Sequence, residues 1–168
     1  MTTVTQPLRD EHRDLWPNIE MFRTAADAVG GESLEQLRHH VDAVHAFLAH
    51  HLIPHARAEE QALYPVVEQV MGAPEATGTM RRDHLEIGRL TDELEDLRLQ
   101  IAGTRDLTEK QEQALRRVLY GLYTVVALHF AKEEEVYLPL LDARLTPDAA
   151  REMFAEMEMA AHHAVVHH

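Results

Sequence analysis

Two stretches decide how this chain is read: His55-Ala-Arg-Ala-Glu59-Glu60-Gln-Ala-Leu-Tyr64-Pro65 and His129-Phe-Ala-Lys-Glu133-Glu134-Glu135-Val-Tyr137-Leu-Pro139. Each is His-x-x-x-Glu-Glu followed by an aromatic residue and a proline. On a helix, residues four apart lie on one face, one turn above the other. Each stretch therefore presents an imidazole and a carboxylate in the same direction. The echo extends upstream, where His12 precedes the first stretch and His84 precedes the second at nearly the same spacing. Two halves, each with a lone His and then a His-x-x-x-Glu, point to a two-metal site between them.

Whether those residues face a core decides between chemistry and surface decoration. Before His129 the apolar seam runs Leu115, Leu119, Leu122 and Val126; after Glu133 the same period continues to Val136 and Leu140. Before His55 it runs Leu37, Val41, Val44, Leu48 and Leu52, and after Glu59 it continues to Leu63, Val66 and Val70. His12 lies between Leu8 and Leu15, and His84 between Met80 and Ile87. Burying an unpaired carboxylate costs several kcal/mol or more, and a bound cation removes that conflict. Solvated i,i+4 His–Glu pairs, worth roughly 0.2–0.5 kcal/mol each, are the bland alternative. Their recurrence on two apolar seams favours metal. His51, one turn before His55, is an additional ligand candidate. Glu60 and Glu134 turn about 100° away from the seam, toward solvent or an outer supporting role. Tyr64 and Tyr137 read as bundle packing, with hydrogen bonding to the site as the alternative. His39, His40, His45 and His50 read as surface residues.

With 168 residues and a 45% apolar share, one domain with a sizeable core is expected. There is no cysteine, which excludes thiolate zinc sites and iron–sulfur clusters. Imidazole and carboxylate ligands suit iron, manganese or zinc. A net charge of −13 argues against nucleic acid as a partner. No signal-peptide pattern or bilayer-length apolar run is present, so neither membrane insertion nor export is expected, and a cytoplasmic location is.

The pattern predicts an all-α protein: an up-down-up-down antiparallel four-helix bundle with a short C-terminal fifth helix. Helices are expected over about 6–28, 33–71, 79–102 and 108–141. Ser33/Gln36 and Thr108/Gln111 have the form of capping boxes. Residues 1–145 are expected to form the bundle, 146–161 an accessory helix opened by Pro147, and 162–168 a His-rich frayed tail. Pro17 and Pro54, inside the first and second helices, are expected to kink them.

Ferritin-like bundles use Glu-x-x-His, which does not occur in this chain. The order found here, over about residues 8–141, resembles the hemerythrin-like, or HHE cation-binding, family. That resemblance implies a non-haem di-iron centre with His12, His55, His84 and His129 as imidazole ligands and Glu59 and Glu133 as bridging carboxylates. Oxygen-carrying hemerythrins have a second histidine one turn after the one at position 84, where this chain has Gly88. Their last carboxylate also lies five residues after its His, and Glu133 lies four after. One ligand short of the carriers, the site keeps a position for water or substrate unless His51 or a tyrosine fills it. The resemblance thus implies chemistry with peroxide, nitric oxide or oxygen, as a peroxidase- or catalase-like or nitric oxide-reactive oxidoreductase. A non-catalytic oxygen- or iron-sensing or metal-binding module and a structural zinc bundle are the alternatives.

Overall fold

The computed structural model describes residues 3–166, and among them it is all-helical, with no strand. The helices are α1 (Gln6–Ala28), α2 (Leu34–Phe47), α3 (Ile53–Ala58), α4 (Tyr64–Met71), α5 (Gly78–Ala102), α6 (Glu109–Lys132), α7 (Leu138–Arg144) and α8 (Pro147–Val166). Their ends follow from the sequence. Ser33 with Gln36, and Thr108 with Gln111, each form the complete reciprocal capping box. Gly72 takes φ 65, a left-handed conformation that ends α4 with little strain because glycine has no Cβ. Leu145 is extended, ending α7, and the Thr146 hydroxyl then accepts from Ala149 N to open α8. With no glycine or proline after Pro147, α8 runs to Val166 rather than stopping near 161. His162 and His163 are therefore helical, while His167 and His168 of the expected tail lie outside the described residues.

From Leu34 to Met71 the chain is one helical rod, because every junction residue keeps right-handed helical dihedrals. Two π-helical turns interrupt it, Leu48–Leu52 and Glu59–Leu63, and a third, Glu133–Tyr137, joins α6 to α7. Each is followed, one residue later, by a proline: Pro54, Pro65 and Pro139. Proline has no N–H to donate and its ring crowds the carbonyl four residues back. Widening the turn relieves this, and the residue before each proline donates to the carbonyl five back: Ile53 to Leu48, Tyr64 to Glu59, Leu138 to Glu133. Pro17, by contrast, lies exposed in a helix that shows no π turn.

Each π turn inserts one extra residue and so moves the inward face by one position. After Glu59 the buried residues are Ala62, Leu63, Tyr64 and Val67, while Val66 and Val70 are only partly buried. After Glu133 they are Leu138 and Leu141, and Val136 is 56% exposed. A strict 3.6-residue period misplaces the seam downstream of both glutamates, which corrects the seam expected from the sequence.

α1 packs against α2 and α6, and α5 packs against the same two, closing a ring of four. Cross-links between α1 and α6 run in opposite order along the two helices: Val29 with Arg116, Asp27 with Tyr120, Glu20 with Tyr123. Apolar side chains form two clusters. One includes Ile19, Val44, Leu48, Leu94, Leu119 and Val126; the other includes Leu8, Leu63, Val67, Met80, Leu138 and Met157. Along every rod of the ring, the polar residues of interest fall between members of the two clusters. They thus form one polar layer within an otherwise apolar interior. No helix among the described residues is long and apolar enough to cross a membrane.

Candidate metal centre

Six side chains meet in that layer. His12 from α1, His55 from α3, Glu59 from the π turn after it, His84 from α5, His129 from α6 and Glu133 from the next π turn are all buried. Glu59 lies between two histidine pairs. Its Oε1 is 2.8 Å from His55 Nε2 and 3.8 Å from His12 Nε2; its Oε2 is 3.2 Å from His84 Nε2 and 3.6 Å from His129 Nε2. Glu133 spans the same gap, with Oε2 3.2 Å from His12 Nε2 and Oε1 3.2 Å from His129 Nε2. Ligand atoms close enough to share a cation fall into two groups, His12–His55–Glu59 and Glu59–His84–His129, with Glu59 common to both.

The outer ring nitrogens are held by four carboxylates in a cyclic order. Glu11 of α1 bonds His55 Nδ1 at 2.8 Å, and Glu60 bonds His84 Nδ1 at 2.8 Å. Asp83 of α5 bonds His129 Nδ1 at 3.1 Å, and Glu134 closes the circle on His12 Nδ1 at 2.8 Å. Each rod thus supplies the acid for a histidine on the next rod. With Nδ1–H donated outward, every Nε2 faces the chamber, and on losing its proton it presents the lone pair that a metal requires. Three cations steady the acids: Arg9 bonds Glu134 at 2.6 Å, Lys132 bonds Asp83, and Arg81 approaches Glu60 at 3.9 Å.

Tyr64 is part of the centre rather than packing alone. Its hydroxyl donates to Glu133 Oε1 at 3.1 Å and lies 3.2 and 3.3 Å from the Nε2 atoms of His84 and His129. The extra residue in the preceding π turn brings it inward. Tyr137 instead bonds the Ala76 carbonyl. His51 does not join the site. Leu52 occupies the seam position before His55, leaving His51 exposed with its ring stacked on Phe47. Among the other histidines, His40 pairs with Glu32 and His45 with Glu95, away from the chamber.

At His12, His55, His129 and Glu59 burial opposes charge, yet the opposite charges prevail. The Glu133 and Glu59 carboxylates push His12 up to about 9 against the cost of its burial. Asp83, Glu133 and Glu59 likewise push His129 up to about 11. His55 is raised well above the usual imidazole range by Glu59 and Glu11, and Glu59 is held well below the usual carboxylate range, chiefly by His55. Protons here do what a cation would do better. His12 Nε2, His55 Nε2, both oxygens of Glu59 and Glu133 Oε2 make no hydrogen bond although all are buried. Buried polar atoms are almost always partnered. Five orphans converging on one chamber, with imidazole and carboxylate donors only, fit a metal site.

The sequence missed two acids, Glu11 and Asp83. The signal was adjacency: each stands immediately before a ligand candidate, but serves a histidine on a different helix. A family model for the hemerythrin HHE cation-binding domain matches residues 3–141. No curated protein and no solved structure matches the chain.

Proposed function

The chain belongs to the hemerythrin HHE cation-binding family, and from that premise we propose that it is a di-iron protein that reacts with a small oxidant. The observation that carries the reading is the set of five orphaned buried atoms between two histidine pairs. His12 and His55 would hold one iron and His84 and His129 the other, with Glu59, common to both groups, and Glu133, which reaches His12 and His129, as the shared carboxylates. The ring of four packed rods is an up-down-up-down bundle, and the opposite order of its cross-links supports this. Tyr64 supports the assignment by adding an oxygen donor at the His84–His129 side, where Gly88 supplies none.

Once bound, an iron pair would supply electron transfer with peroxide, nitric oxide or oxygen. The chain supplies the setting. Glu11, Glu60, Asp83 and Glu134 fix the imidazole orientations, so little reorganisation is needed when charge changes at the centre. The apolar clusters on either side exclude water, which strengthens each electrostatic contact inside. Phe130, stacked on His12 at 4.2 Å, closes the α1–α6 side. The Tyr64 hydroxyl places a proton at Glu133 Oε1.

Metal analysis joined to absorption spectroscopy tests the reading. Iron that is retained through His40→Ala but lost in His129→Ala, with near-ultraviolet and visible absorption of a ferric pair, is expected. A colourless zinc-loaded chain overturns it. Repeated cycling of the reduced protein with oxygen separates oxidant chemistry from carriage: irreversible oxidation is expected, and full spectral recovery over many cycles identifies a carrier.

A further inference from the structure

The chamber is approached from outside at His55. A cavity of about 530 Å³ lies between α1, α3 and α8, lined by Glu11, His55, Ala58, Phe154, Met157 and neighbouring side chains. The His55 ring forms part of its wall: Nδ1 is held there by Glu11, and Nε2 faces the chamber on the other side. A second, more open groove between α1 and α6 reaches His12. It ends against the Phe130 ring, stacked on His12 within 17° of parallel, and against Glu134 on Nδ1. The α8 cavity is the better enclosed and meets no stacked aromatic at its inner end.

From these contacts we infer that the cavity under α8 is the passage by which a small uncharged molecule, a neutral diatomic or hydrogen peroxide, reaches the centre, with Phe154 and Met157 setting its width. The inference rests on the metal-centre reading for what the molecule does on arrival, not for the passage itself. Proline, alanine, phenylalanine and methionine make up six of its ten lining residues, which favours a weakly solvated visitor. The charged groups lining it are Glu11, Glu158 and Arg151, and Arg151 is already paired with Asp148. On a chain of net charge −13, that rim disfavours anions. α8 itself is anchored by Met153, Met157 and Ala160 in the apolar cluster beside the site, while Phe154 stays half-buried at the cavity. The family match ends at residue 141, so α8 and the width it sets lie beyond the matched domain.

Stopped-flow binding of nitric oxide to the ferrous, iron-loaded full chain tests the passage. Ala155, exposed on α8 and lining the cavity, is replaced by a plug in Ala155→Trp, and Phe154→Ala widens the same place. Ala127→Trp plugs the α1–α6 groove as the comparison. Ala155→Trp is expected to slow association and dissociation together, roughly tenfold or more, with the equilibrium affinity unchanged, as for a gate remote from the bound state. Phe154→Ala is expected to speed both, and Ala127→Trp to change neither. Unchanged rates in Ala155→Trp, or slowing by Ala127→Trp alone, overturn the inference. Xenon pressed into the metal-free protein supplies a readout that needs no iron. Amide shifts at Ala58 and Phe154 that vanish in Ala155→Trp support the passage, and shifts confined to Trp16 and Ala127 overturn it. A chain that binds no iron but passes the xenon test refutes the di-iron reading and leaves the passage standing.

Discussion

Loading the metal-free protein with ferrous iron at pH 7.5 should release about three protons per chain, since metal ligands must shed theirs. The count comes from the chamber. His12, raised to about 9, and His129, raised to about 11, are both protonated at that pH, as is His55. The cation displaces each Nε2 proton, which leaves for the buffer, while the Nδ1–H stays on an outer carboxylate. The same shifts set the stability of the metal-free state, at about 1.36 kcal/mol per pKa unit. Against an ordinary value of 6.5, His12 contributes about 3 kcal/mol and His129 about 6 kcal/mol. Because both values are raised, the contribution is complete below pH 6.5 and is lost as pH rises through about 9 and then about 11. Glu59, lowered, contributes above its ordinary 4.5 and loses that as pH falls through its lower folded value. The metal-free melting temperature should therefore fall as pH rises above about 6.5, while iron binding tightens as competing protons leave. The gap between loaded and metal-free melting temperatures should widen from pH 6.5 to 10. Proton release is read by titration in weak buffers of different ionisation enthalpy, and melting by circular dichroism. Release of less than one proton, together with a metal-free melting temperature that is flat from pH 6.5 to 10, would refute the argument.

Four further outcomes follow from particular side chains. Asp83→Asn keeps the shape but alters what His129 Nδ1 faces, and should weaken metal binding roughly 10–100-fold, measured by competition with a chelator. Tyr64→Phe removes the hydroxyl at Glu133 and His84, and should alter the visible spectrum of the ferric protein while leaving iron content near that of wild type; an identical spectrum counts against Tyr64 as a donor. Gly88→His should fold normally and gain a few tenths of a kcal/mol in chemical denaturation, because a Cβ there meets nothing within 4 Å and glycine is a poor helix former. Leu119→Ala, fully buried in the cluster away from α8, should cost about 2–5 kcal/mol in urea unfolding with the iron stoichiometry of the surviving folded protein unchanged.

What the sequence determined by itself was local and periodic. Capping boxes at Ser33 and Thr108 depend on residues three apart, so both helix starts were legible. The inward placement of His12, His55, Glu59, His84, His129 and Glu133 was legible because each lies on the apolar seam of its helix. Beyond the glutamates the reading failed, because a helical period assumes 3.6 residues per turn and the turns before Pro65 and Pro139 are wider. That single extra residue turned Tyr64 into the chamber and moved Val136 out to solvent. His51, offered only as an additional ligand one turn before His55, lies exposed because Leu52 holds the inward position there. The cyclic support of Glu11, Glu60, Asp83 and Glu134 joins rods far apart in the chain, and no spacing along one helix encodes which neighbour an acid will face. Only the packing of the four rods decided that, and only the docking of α8 made a cavity at His55, because both depend on surfaces brought together from distant parts of the sequence.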